Sequence, residues 1–291
     1  VSDQDLRELE REILAAPASL ELRRRHAQVL FRLGQEDRAL GALDLAWRLG
    51  ATDLWDELRD RLAKRRLEIR GTELAYVPGG PFVMGSDDLD EDARPAHIVS
   101  LSAFYVAVRP LVWGALDGWR GNRAGLRARE PYRTQYLKMP VWGLTHDLAR
   151  DAIAYIEGAA ATEGHRGRWS LISEAQWERV FRAAHLRPDG TSPYGVVVES
   201  EVYSHMRCPE WTADGYDADA YSEGSRVDPV EPVTSRGQLR VVRGVPPLPP
   251  PHFATYREAA NADGGFEIPS SGGGLFAGAE SGIRIRAVFV P

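Results

Sequence analysis

The chain changes character between Ile69 and Thr72, and no single structural period describes both sides. Before that point apolar residues recur at helical spacing. Leu6, Leu9, Ile13 and Leu14 fall at i, i+3, i+7 and i+8, the stripe of an amphipathic helix. Glycine is confined there to Gly34, Gly41 and Gly50, and Pro17 is the one proline. After Thr72, Gly, Pro and Trp become frequent and the apolar runs are short and β-like. The 291 residues therefore divide into an all-α segment, 1–70, and a second domain, 71–291, of α+β class.

Between residues 20 and 53, Ala27, Leu30, Gly34, Ala39, Leu43 and Ala46 recur at spacings that resemble one tetratricopeptide repeat. Small residues in that pattern let two antiparallel helices approach, with a Gly near the turn. Leu54, Trp55, Leu58 and Leu62, within 51–66, predict a third, capping helix. One repeat cannot bury its own apolar face, so this segment is expected to pack on a neighbour or a partner. It carries 14 acidic and 14 basic residues, and its Arg23-Arg24-Arg25 and Lys64-Arg65-Arg66 clusters read as parts of a solvated face.

The second domain opens with Tyr76-Val77-Pro78-Gly79-Gly80-Pro81-Phe82-Val83-Met84-Gly85-Ser86, a strand, a Pro-Gly turn and a strand, which predicts a hairpin. Asp92-Ala93-Arg94-Pro95-Ala96-His97-Ile98-Val99-Ser100-Leu101 follows, then Phe104-Tyr105-Val106. Met139-Pro140-Val141 precedes the helical Asp151-Ala152-Ile153-Ala154-Tyr155, whose expected apolar face is Leu148, Ala152, Tyr155 and Ile156. Leu171-Ile172-Ser173-Glu174-Ala175-Gln176-Trp177-Glu178 is a capping box, with Ser173 as N-cap and Gln176 reaching back. Pro209-Glu210-Trp211-Thr212-Ala213-Asp214, Arg240-Val241-Val242-Arg243-Gly244 and a final Gly282-Ile283-Arg284-Ile285 complete the series.

In this order the landmarks resemble the formylglycine-generating enzyme, or sulfatase-modifying-factor, family. The resemblance covers about 220 residues. It implies that family's C-type-lectin-like α+β fold, with much irregular structure on a small twisted sheet, and a bacterial-type protein.

Active members of that family hold copper with two cysteines, since soft thiolates suit cuprous copper. The aligned positions here fall near Pro249 and Ala254, and the sequence holds one cysteine, Cys208. The resemblance thus implies a pseudoenzyme without the family's copper, and no cofactor is expected. Of the family's calcium set only Glu210 matches, with Tyr203 and Met206 at the Asn and Gly positions. The Trp that lines the family's active site falls at Pro209. Cys208 would need a base such as His205 to act as a nucleophile, and a lone inert thiol is the commoner situation. The seven histidines show no metal-ligand spacing, and the acidic run from Asp87 to Asp92 lacks the Gly and terminal Glu of a calcium loop. No metal site is expected.

What remains is the rebuilt loop. Residues 246–251 form a proline tract that favours a stiff, extended conformation. Pro247, Pro250, His252, Phe253, Tyr256 and Arg257, with Trp211, are the expected binding residues, because rigid apolar ridges with aromatics and Arg make good anchors. The expected function is a protein-binding or regulatory module, its partner another protein. Two other readings stay open: an oxidoreductase of the same fold with different metal chemistry, and a small-molecule or glycan binder in the lectin-like cleft. Net charge is −6 without a basic tract, which argues against nucleic acid. No run of about 18 apolar residues exists to span a membrane, and the start lacks a signal-peptide core, so a cytoplasmic location is expected.

Overall fold

Ser2 accepts from the Asp5 backbone N–H while the Asp5 carboxylate takes the Ser2 N–H, a capping box that starts α1 (Asp3–Ala15). In the computed structural model, which describes residues 2–88, 93–122, 129, 131–182, 191–197, 209–234, 238–244, 258–260 and 283–291, three more helices follow. They are α2 (Leu20–Arg32), α3 (Glu36–Arg48) and α4 (Trp55–Ala63). Gly34, at φ 73°, closes the α2–α3 hairpin in the left-handed conformation that glycine adopts without strain. Leu6, Leu9 and Ile13 are buried as the helical stripe predicts, whereas Leu14 points to solvent. The last residues of the helical segment are not helical. Arg66–Ile69 form β1, which pairs antiparallel with β2 (Thr72–Val77) and so belongs to the main sheet.

That sheet has five antiparallel strands in the order β1-β2-β5-β11-β6, where β5 is Phe104–Ala107, β6 Arg168–Leu171 and β11 Ala287–Val290. Its side chains alternate between two cores, as the two-residue period of a strand requires. Val106 and Val288 join a core shared with the N-terminal helices. Beyond the short α5 (Tyr132–Leu137), Ala107, Ala287 and Phe289 join a second core with α6 (His146–Thr162), Trp113 and Trp119. A second sheet has the order β10-β7-β8-β9, built from Arg284–Ile285, Glu210–Gly215, Arg240–Arg243 and Glu258–Ala260. The structure is of α+β class.

Two local expectations are corrected. Strands β2 and β3 (Gly80–Met84) are not hairpin partners: β3 pairs instead with β4 (His97–Leu101), in a separate two-stranded sheet. Pro78, Gly79 and Gly80 make a corner, not a hairpin turn. Arg179 donates to the Pro78 and Gly80 carbonyls and holds the corner from the far side. Glycine is favoured there because a Cβ on Gly79 would stand 3.0 to 3.4 Å from the backbone of residues 101–103, and one on Gly41 of α3 only 2.6 Å from the Gly79 carbonyl. On α6 the buried face is Ala149, Ala152, Ile153, Ile156 and Ala160, and Leu148 is exposed. The Thr145 hydroxyl caps the helix by accepting from the Leu148 N–H, and the packed stripe runs through Ala149 instead of Leu148.

The helical segment is locked to the second domain by buried charge. The Asp44 carboxylate on α3 accepts from Arg179 at 3.0 Å, from Arg48 at 3.0 Å and from the Tyr194 hydroxyl at 2.9 Å. Arg48 also donates to Tyr194 and to the Arg179 carbonyl. Asp44 and Arg179 are each almost wholly buried, so removing either partner would strand the other in a water-poor interior.

Candidate functional site

Helix α7 (Glu174–Phe181) begins as its sequence predicts. Ser173 accepts from the Gln176 N–H, and Gln176 accepts from the Ser173 N–H. That start fixes the rotation of the helix, which turns Glu174, Trp177, Glu178 and Phe181 inward. Arg243, at the end of β8, meets them, donating to Glu174 at 3.1 Å and to Glu178 at 2.9 Å. Tyr221, on the one-turn helix α8 (Ala220–Glu223), adds its hydroxyl to both carboxylates at 3.3 and 3.5 Å. Glu178 also takes the Gly85 N–H at 2.8 Å. Burial works against the Arg243 charge, and Tyr221, Glu178 and Glu174 more than offset it, so its pKa lies above the ordinary arginine value.

Above this network lies a small cleft lined by Met84, His97, Glu174, Asp214, Tyr221 and Glu231, with a volume of about 20 Å³. That is room for about one water molecule. The His97 ring stands edge-on to Tyr221 at 5.0 Å, and its Nδ1–H donates to the Pro95 carbonyl at 2.8 Å. Burial lowers the His97 pKa, opposed by that hydrogen bond, so the ring is neutral near pH 7. Asp214 is engaged by the backbone N–H groups of Glu174 and Glu231 at 2.7 and 3.0 Å. These groups hold one another.

The segment expected to bind, 244–257, joins two strands of the same framework. Strands β8 and β9 are antiparallel neighbours in which Val242 faces Glu258, so residues 244–257 leave and rejoin the sheet at one end. Arg243 immediately precedes this connection. Its two carboxylate partners make the base of the segment a fixed point. Pro247, Pro250, His252, Phe253, Tyr256 and Arg257 themselves lie outside the described residues, as do Pro249, Ala254, Cys208 and His205.

Trp211, the remaining expected binding residue, is fully buried on β7. It donates to the Leu144 carbonyl at 3.0 Å and packs edge-on against His146 at 5.4 Å. Its indole offers no face to a ligand in this arrangement. Sequence reasoning missed the buried arginines. Arg286 forms a bidentate pair with Glu210 at 2.6 and 2.8 Å, and Trp177 donates to the same carboxylate at 3.1 Å. Glu210, the one match to the expected calcium set, therefore has both oxygens engaged. The visible signal was charge inside apolar strands, as in Val241-Val242-Arg243 and Ile285-Arg286-Ala287.

The donor set for family-type copper does not fit this chain. Two thiolates are required, and the sequence holds one cysteine. Among the described residues no three His, Cys, Asp or Glu side chains converge as metal ligands, and no helix is long and apolar enough to cross a membrane.

No protein-family model matches the chain, and no curated protein matches it. Among solved structures it is similar to PvdO from Pseudomonas aeruginosa, with 19% identity and a TM-score of 0.50 over 77% of this chain and 97% of that one. A Treponema denticola protein, variable protein 1, aligns with 14% identity and a TM-score of 0.47 over 78% of this chain and 98% of that one. At such identity the likeness to PvdO is one of fold alone.

Proposed function

We infer that this protein is a catalytically inactive, formylglycine-generating-enzyme-like module of C-type-lectin-like fold. It binds another protein through the segment that stands where the copper loop would be. The observation that carries this reading is the absence of a cysteine near Pro249 and near Ala254, where the resemblance puts the two thiols, in a loop rebuilt around prolines. The anchoring of Arg243 by Glu174 and Glu178 supports it, because a fixed base lowers the entropy lost when the loop meets a partner. Phe253, Tyr256 and Arg257 are the anchor residues and Pro247 and Pro250 the stiffening ones; His252 adds a polar contact. Function of this kind resides in a site grafted on the fold.

The enzymatic alternative is tested by elemental analysis of the purified full chain. The expected outcome is copper and iron each well below one-tenth of an equivalent. A stoichiometric content of either would overturn the pseudoenzyme reading and favour metal-dependent oxidation in the same fold.

A further inference from the structure

The small β3–β4 sheet presents an apolar face that nothing described in the chain covers. Val83 and Ile98 are direct register partners, so they lie side by side on one face of the sheet. Ser100 is bridged in parallel to Val227, with the Ser100 N–H donating to the Arg226 carbonyl and the Asp228 N–H to the Ser100 carbonyl. Val227 thereby extends the same face as a third row. The opposite face carries Phe82, Met84, Val99 and Leu101, all buried in the core. Val83, Ile98 and Val227 are 47%, 65% and 66% exposed. Three neighbouring β-branched aliphatics turned to water form a patch, which scattered surface residues do not.

The charge around this patch selects its occupant. At the His97 end of β4 stand Asp87 and Asp88, with Asp87 accepting the Ala96 N–H at 2.8 Å. At the other end Asp228 receives the Ser102 N–H and hydroxyl, each at 2.7 Å. Among the described residues, the carboxylates placed at the two ends of this face are Asp87, Asp88 and Asp228, and in sequence the stretches 85–96 and 216–228 that contain them are strongly acidic. From His97 to Ser102 the strand advances about 17 Å. We propose that the Val83–Ile98–Val227 face docks a cationic segment of a partner protein, one that alternates aliphatic residues with Lys or Arg. The aliphatic side chains cover the valines and isoleucine, and the cations meet the carboxylates at either end. The surface shares no residue with 244–257, so it stands or falls separately from the loop reading.

The test uses the full chain with labelled Ile, Leu and Val methyl groups, titrated by NMR at low salt. The probe is a twelve-residue peptide alternating Lys and Val, and the control alternates Glu and Val. The expected result is shifts at the Val83, Ile98 and Val227 methyls with the lysine peptide, and at least tenfold weaker binding of the glutamate peptide. Replacing Asp87→Asn and Asp88→Asn together should weaken the lysine peptide several-fold, because each neutralised carboxylate removes a charge partner. Ile98→Thr, which keeps a β-branched strand residue, should weaken it about tenfold, with an unchanged melting temperature as the folding control. If that variant melts early, Val83→Thr serves in its place. Shifts confined to other methyls, or equal response to both peptides, would overturn the proposal. So would a concentration-dependent dimer in sedimentation that Ile98→Thr abolishes, since the face would then belong to a second copy of this chain.

Discussion

His146 opens α6 with its ring wholly buried, Nε2–H donating to the Thr212 carbonyl at 3.0 Å. Burial lowers its pKa from the ordinary 6.5 to about 4. The Thr212 bond opposes that shift, and Arg240 and Arg150 add to it. Above pH 6.5 the ring is neutral folded or unfolded, and its contribution to stability is complete. Between pH 6.5 and about 4 the unfolded chain takes a proton that the folded one refuses, so stability falls as pH falls. The gap is worth about 3 kcal/mol in total. Urea unfolding at pH 7, 5.5 and 4.5 should show this decline, and His146→Gln should flatten it. An equal slope in both proteins would remove His146 as its source. The other buried charges of the molecule differ in kind. Arg179 and Arg286 each sit between a carboxylate and backbone carbonyls, and Arg243 between two carboxylates and the Tyr221 hydroxyl, so their worth lies in what their loss would leave unpaired.

At the scale of elements, the decisive contact is α3 against the second domain. Asp44 neutralises Arg179, and Gly41 lets α3 approach the Gly79 carbonyl more closely than a Cβ would allow. A chain shortened to residues 65–291 keeps β1 but strands Arg179 and uncovers the core face of Val106 and Val288. We expect it to lose cooperative melting by circular dichroism, where the full chain shows one transition. A shortened chain that melts as sharply would make the helices a separable module. The helices themselves were legible because their signals are local: the stripe of Leu6, Leu9 and Ile13, Gly34 at the hairpin, Ser173 and Gln176 at the start of α7. Pairing was not. The Pro-Gly-Gly turn after β2 reads as a hairpin because turn chemistry is local, whereas the partner of β3 is set by packing on α7 and by an arginine a hundred residues away. Trp211 was legible as important but not as buried, since an aromatic beside a carboxylate reads alike in a core and at a surface.

For the whole molecule, the two larger sheets, α7 and the N-terminal helices form a frame closed by charge pairs that span the sequence. Arg243 lies 65 residues from Glu178, and Arg286 lies 76 from Glu210. Such pairs leave no trace in spacing, so the framework on which β8 and β9 stand was not legible in the sequence. The end of β8 and the start of β9, which residues 244–257 join, lie side by side at one end of the second sheet. The central claim is that this segment binds a protein. It is tested most directly by capture on immobilised full chain, wild type against the double variant Tyr256→Ala and Arg257→Ala, from an extract of the source organism with quantitative mass spectrometry. The account predicts at least one protein retained by wild type and depleted tenfold or more on the variant, with both chains melting at the same temperature. An identical set of retained proteins on the two chains would contradict it.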